Sequence, residues 1–251
     1  MSATVVNNNQ ELIESYQYTE ENDFLTPTID GSLSFDIDEC CDTTSSYPHM
    51  LPPCSQFEEY VSNLGITNSS HVVVYDNWPQ IGIFSSPRLW WMFHVFGHKN
   101  VSVLDGGLPG WQSEGYDVTY RQNSLNVNSN FRANFNSDLV KNFKQIQCNV
   151  KSGLATLVDA RSADRFNGLS PEPRAGSSIF IILKFWQYFG KLGLICQLRF
   201  GLRVVLVVYM CSSFTGVTAS ILSFASYICG FDILPVYDGS WTEWSNNLDN
   251  S

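Results

Sequence analysis

The chain has 251 residues, 44% of them hydrophobic, a formal charge of -10 and a pI near 4.7. That is enough chain for one large domain or two of about 125 residues, each able to bury a core. The acidic balance argues against nucleic acid as a partner, and the seven cysteines include no C-x-x-C pair, so neither a zinc site nor a thioredoxin motif is indicated.

Residues 1–23 contain no apolar core of a signal peptide and are too acidic and Arg-poor for a transit peptide. No strand is expected in residues 1–28. A reducing location is implied, the cytoplasm, with the mitochondrion as the open alternative. His71 to Asp76 reads as a buried strand. Leu89 to Phe96 reads as an apolar helix stopped by Gly97. A strand at Val101–Leu104 then leads into Asp105-Gly106-Gly107-Leu108-Pro109-Gly110-Trp111. His71, His94 and His98 are expected on the surface of helices or loops. The stretch Tyr120 to Ser152, rich in Asn, Ser, Gln and Lys, reads as a join.

The later half repeats the order. Val204–Tyr209 is the strand, Ser212–Gly216 the loop, Thr218–Cys229 the helix, Gly230 its stop and Leu234–Tyr237 the next strand. Asp238-Gly239-Ser240-Trp241 then answers the first Asp-Gly turn. One α/β unit duplicated is the simplest account. Strands alternating with helices imply a mainly parallel sheet covered by helices. Residues 204–231 carry no charge and are long enough to span a bilayer. Ser, Thr and Gly divide them into a β-branched half, a polar loop and a helical half. A strand–loop–helix is therefore the better reading, and no membrane association is expected.

Ligands of such sheets bind at the carboxyl ends of the strands, and Cys211 stands at one. The equivalent place in the first half holds Asp76 or Asn77. A cysteine before a helix N-terminus can be a stabilised thiolate nucleophile, or an ordinary buried thiol. Cys40, Cys41, Cys54, Cys148, Cys196 and Cys229 are read as such ordinary thiols. A phosphatase of the Cys-x5-Arg type would need arginine where this chain has Val217.

FDIDECCDTTSSYPHMLP (35–52), SSPRLWWMFHVFGHKNVSVLDGG (85–107), VDARSADRFNGLSPEPRAG (158–176), CSSFTGVTAS (211–220) and VYDGSWTEW (236–244) together closely resemble the tandem-domain sulfurtransferases. That group comprises rhodanese and 3-mercaptopyruvate sulfurtransferase. The resemblance implies two rhodanese-like domains. The first would be a non-catalytic unit at 1–130, short at its N-terminus, followed by a linker at 131–152. The second, at 153–251, would carry the Cys loop. It also implies a sulfane sulfur carried as a persulfide on Cys211, with Ser213, His49 and Asp38 handling protons. Arg165 and Arg174 would bind the donor's carboxylate. Ser212, Gly216, Val217 and Thr218 would line the donor's anionic end. No cofactor and no metal are expected. The partners implied are a small sulfur donor and a thioredoxin or small-thiol acceptor, on a monomer or weak dimer.

The loop Ser212-Ser213-Phe214-Thr215 has four residues before Gly-Val-Thr, where the family usually has two. The bibasic chemistry that thiosulfate-type members place in this loop is absent, which favours 3-mercaptopyruvate as donor. Between Pro173 and Phe231 there are five Lys or Arg and no Asp or Glu, a composition unlike the rest. An alternative reading therefore stays open, a rhodanese-like binding module that keeps the fold and has lost the chemistry. Turnover of 3-mercaptopyruvate separates the two.

Overall fold

The computed structural model describes residues 2–6, 13–15, 27–78, 82–120, 129–155, 157–161, 169 and 216–247. The chain divides into two units. The first comprises Met1–Thr44 with Leu51–Asn136, the second Ser45–Met50 with Ser137–Ser251.

The first unit is built on one sheet. Its C-terminal part is parallel: β4 (Val72–Asp76) pairs with β5 (Val101–Val103), with Val72 opposite Val101 and Val74 opposite Val103. The valine-rich run of β4 suits a strand buried on both faces. β3 (Leu33–Asp36) lies on the other side of the sheet. Two strands come from the region expected to hold none. β1 (Ser2–Val6) runs antiparallel to β3 and β4, and β2 (Ile13–Ser15) runs parallel to both. The β-branched run Thr4-Val5-Val6 suits β1.

Three helices accompany this sheet: α1 (Cys54–Asn63), α2 (Ser86–Val95) and α3 (Gly107–Ser113). Within α2 every residue except His94 is buried, Ser86 and Arg88 among them. Its rings knit the core. Phe57 of α1 stacks on Phe96 at 4.0 Å and meets Phe93 and Phe131 edge-on at 5.5 and 5.9 Å. Such pairs add to what their buried area contributes.

Phe131 belongs to the stretch read as linker. Phe131 N–H donates to Ser62 Oγ, Ala133 N–H to Glu58 Oε1, and Asn134 and Asn136 N–H to the carbonyls of Phe96 and Val95. Residues 129–136 are thus strapped to the first unit. From Ser137 the chain enters the second, through a 3-10 turn, β6 (Val140–Lys141) and α4 (Phe143–Ser152). Helix α4 opens with a capping box in which the Asn142 side chain accepts from Gln145 N–H and Gln145 Oε1 accepts from Asn142 N–H. Asn-Phe-Lys-Gln was a legible helix start.

The second unit continues with α5 (Val217–Ile228), β7 (Val236–Tyr237) and α6 (Ser240–Asn246). β6 and β7 pair in parallel, Val140 opposite Val236. Ile146, Leu157, Tyr237, Trp241 and Trp244 form a buried cluster there. The expected strand Val204–Tyr209 lies outside the described residues. Among the described residues no helix is long and apolar enough to cross a membrane.

Candidate functional site

Helix α5 begins where the Cys loop ends. Gly216 is its N-cap, Val217 and Thr218 its first turn, and the Gly216 carbonyl accepts both the N–H and the hydroxyl of Ser220. No acidic residue lies in that turn. The first N–H groups of a helix lack partners within it and carry the positive end of its dipole, so they suit an anion. Among the described residues the buried Thr218 Oγ1 has no hydrogen-bond partner. The structure thus brings Gly216, Val217 and Thr218 together at one helix start. Cys211, Ser212, Ser213, Arg165 and Arg174 lie outside the described residues.

The corresponding place in the first unit is filled from within. Asp76, 2% exposed, ends β4. Its Oδ2 accepts from the Ser86 N–H at 2.9 Å, from the Ser86 hydroxyl at 2.6 Å and from the Phe84 N–H, and its Oδ1 accepts from the Ser85 N–H at 2.9 Å. The carboxylate therefore occupies the N-terminus of α2. The turn after β5 closes over the same spot. A Cβ on Gly107, φ 57, would stand 2.6 Å from the Asp76 carbonyl oxygen, so only glycine fits there.

His49 and Asp38 fall in different units. Asp38 is exposed, in the turn after β3. Its N–H donates to Asp36 Oδ1 at 2.7 Å, and its carbonyl accepts the Cys41 thiol at 2.9 Å. His49 belongs to the second unit, on the short stretch Ser45–Met50 that the first unit's sequence surrounds. It is half-buried and left-handed, φ 57.

Sequence reasoning assigned no role to Asp159 and Arg161. Both side chains are fully buried, and the guanidinium grips the carboxylate with Nη2 on Oδ2 at 2.8 Å and Nε on Oδ1 at 3.1 Å. Its carbon also sits 4.1 Å from the centre of the Trp241 ring. A hydrophobic-pattern reading cannot anticipate a buried ion pair two residues apart. The Val-Asp-Ala-Arg order, an acid and a base two residues apart, was the available signal.

Of the other titratable groups, burial raises the Cys40 thiol far above the usual range, with neighbouring Cys41 adding to it, which makes Cys40 a poor nucleophile. Cys40, Cys41, Cys54, Cys148 and Cys229 are free thiols. The surface placement expected for His98 is corrected: it is 3% exposed, against the rings of Phe93 and Phe131. His94 and His71 are half-buried, on the Trp90 carbonyl and the Ser102 hydroxyl. Among the described residues no group of three His, Cys, Asp or Glu is placed to hold a metal.

Comparison with known proteins places this geometry. The pattern of the Rhodanese-like domain matches residues 10–114. The chain is 41% identical to a thiosulfate sulfurtransferase of Rattus norvegicus over 231 residues, which is 86% of this chain and 76% of the relative. It is 39% identical to a 3-mercaptopyruvate sulfurtransferase of Homo sapiens over 230 residues, with the same coverage. Its fold is similar to that of SseA from Escherichia coli, a 3-mercaptopyruvate sulfurtransferase, with TM-score 0.75, 30% identity and 91% of each chain covered. These likenesses show that the chain belongs to the rhodanese-like sulfurtransferases, the family of thiosulfate and 3-mercaptopyruvate sulfurtransferases.

Proposed function

We propose that this sulfurtransferase draws its sulfur from 3-mercaptopyruvate in preference to thiosulfate, carries it as a persulfide on Cys211 and hands it to a thiol or cyanide. The Cys211 thiolate attacks the donor sulfur. The carbon–sulfur bond breaks, its electron pair passes into the enolate of pyruvate, and a proton quenches the enolate carbon. An acceptor thiolate then takes the outer sulfur and returns Cys211 as thiolate. A low-molecular-weight thiol or thioredoxin fits that second role, and the cytoplasm is its proposed setting.

The observation that carries this reading is the start of α5. In sequence, Cys211 stands five residues before Gly216, and the first turn that follows offers its N–H groups with no acid to neutralise them. A thiolate or persulfide is stabilised by such a field while staying nucleophilic. Ser212 and Ser213 add neutral donors. Arg165 and Arg174 hold the carboxylate, since a guanidinium fork matches it. His49, Asp38 and Ser213 are the residues given the proton transfer.

Charge favours the monoanionic donor. From Cys211 to Gly216 there is no Lys or Arg to offset the second charge of thiosulfate. Incubation with 3-mercaptopyruvate is expected to add one sulfur to the mass of the Cys211 peptide, and kcat/KM is expected to be higher for 3-mercaptopyruvate than for thiosulfate with the same acceptor. Cys211→Ser should lose both turnover and the mass shift. A folded wild-type protein with no persulfide would instead favour the binding-module reading. A kcat/KM ratio favouring thiosulfate would refute the donor assignment.

A further inference from the structure

We propose that Tyr47 and Asn247 are positioning residues, which hold His49 in register for proton transfer by pinning residues 45–50 to the last turn of α6. The proposal rests on the role given to His49 above and adds the residues that set its place.

The stretch Ser45–Met50 leaves the first unit after Thr44 and returns to it at Leu51, yet packs with the second. Six residues cannot bury a core of their own, so something must tie them down. Two turns shape the approach. Asp42 Oδ1 accepts the N–H and hydroxyl of Thr44 at 2.9 and 2.6 Å, and Ser45 Oγ accepts the Tyr47 N–H at 3.0 Å. Pro48 then fixes its own φ, and His49 follows in the left-handed region at φ 57. A non-glycine residue there is strained and persists only where its surroundings over-determine it.

The tie is visible on the other side. Asn247 Nδ2 donates to the Tyr47 hydroxyl oxygen at 3.4 Å. The amide is itself fixed. The same nitrogen donates to the Glu243 carbonyl at 2.8 Å, and the Asn247 N–H donates to the Glu243 and Trp244 carbonyls. Helix α6 in turn cannot drift, because Trp241 and Trp244 are core residues and Trp241 lies under the Arg161 guanidinium held by Asp159. A continuous series thus runs from a buried ion pair through an indole, a short helix, an amide and a phenol to a residue two positions from the imidazole. A proton donor or acceptor must lie within hydrogen-bond reach of its partner, and a shift of an ångström costs rate, not binding.

The test is steady-state kinetics with 3-mercaptopyruvate and a dithiol across pH, on Tyr47→Phe, Asn247→Ala and Asn247→Gln, each also in a His49→Gln background. His49→Gln should lower kcat about a hundredfold, in the range of general acid–base contributions. Tyr47→Phe and Asn247→Ala should each lower kcat about three- to tenfold, the value of one lost hydrogen bond, with KM nearly unchanged and the limb of the pH profile assigned to His49 displaced. Asn247→Gln should recover part of the loss. Neither change should matter once His49 is gone. Equal losses with and without His49 would make the tie merely structural and overturn the proposal. A wild-type rate for His49→Gln would instead overturn the proton-transfer role on which it rests. A readout independent of turnover is the NMR titration of the His49 ring in the folded protein. It should shift in Tyr47→Phe and Asn247→Ala, and an unmoved curve in both overturns the positioning claim.

Discussion

The two units use one backbone device in opposite ways. In the first, the strand ends on Asp76, and its carboxylate takes the N–H groups of Phe84, Ser85 and Ser86 at the start of α2. In the second, α5 starts at Gly216 with no acid in its first turn, and the sequence places Cys211 just upstream. A helix N-terminus attracts an anion either way. Where the chain supplies its own, the site is closed and the helix is stabilised. Where the described residues supply none, the field suits the anion that the proposed reaction forms. One unit thus carries the proposed reaction centre, and the other carries its own carboxylate at the matching helix start.

The sharpest way to break that comparison is to empty the first site. Asp76→Ala leaves three largely buried N–H groups and the Ser86 hydroxyl without their acceptor. A buried donor without a partner costs about 1–3 kcal/mol, and partial relaxation makes the sum about 3–5 kcal/mol, read as a fall in the urea midpoint. Asp76→Asn should lose less, because one acceptor oxygen remains. If the site is a true counterpart of the second, sulfate should raise the Tm of Asp76→Ala more than that of the wild type, by refilling it from solution. Equal responses to sulfate would mean that the two helix starts are not equivalent.

The next effect tests the second site by its substrate. Loss of one charge-assisted hydrogen bond costs about 1.5–3 kcal/mol. Arg174→Ala should therefore weaken apparent binding of 3-mercaptopyruvate roughly ten- to a hundredfold, and Arg165→Ala similarly. Replacing Ser212 and Ser213 by Arg and Lys should move the donor preference toward thiosulfate. Steady-state kinetics with both donors checks this, and unchanged constants in both alanine variants would place the arginines away from the carboxylate.

What was legible in the sequence follows from the range of each signal. The Val72–Asp76 strand, the α2 helix with its Gly97 stop and the α5 helix with Gly230 were readable, because apolar runs and glycine stops act over a few residues. The Asn142–Gln145 capping box was equally local and was overlooked inside a polar stretch. The strapping of residues 129–136 onto the first unit was not legible in the same sense. Its hydrogen bonds join residues far apart in the chain, such as Phe131 to Ser62 and Asn136 to Val95. The same holds for the site. Gly216, Val217 and Thr218 were placed correctly at a helix start because they are contiguous. That His49 packs with the second unit while Asp38 stays with the first could not be read from the ten residues between them. The internal carboxylate at Asp76 was foreseen only as an equivalent position, since its partners lie eight to ten residues on.

The smallest expected effect is on pH, and it too separates the units, because three of the four histidines lie in the first. Burial lowers the titration of His98 below its ordinary value of 6.5. The backbone at Asn100 and Ser70 opposes that shift, and His94 and His71 reinforce it. Burial also lowers His94, against the pull of the Trp90 carbonyl and with Lys99 adding to it. The facing groups are thus three imidazoles and one ammonium, with no carboxylate among the causes of either shift. Above pH 6.5 both rings are neutral whether the chain is folded or not, and they give no pH dependence. As pH falls through 6.5 the unfolded chain takes up protons that the folded unit resists, so stability drops with falling pH until the folded values are passed. The urea midpoint of the first unit's transition should therefore be lower at pH 5.5 than at 7.5. Carboxylates can act in the same direction at lower pH, so the informative quantity is the difference between variants. His98→Gln removes the most buried ring and its protonation while leaving His71, His94 and Lys99 in place. Its absolute stability should fall, because the contacts with Phe93 and Phe131 are lost. Its decline between pH 7.5 and 5.5 should nonetheless be shallower than that of the wild type. An identical decline would remove His98 as the source of the first unit's acid sensitivity.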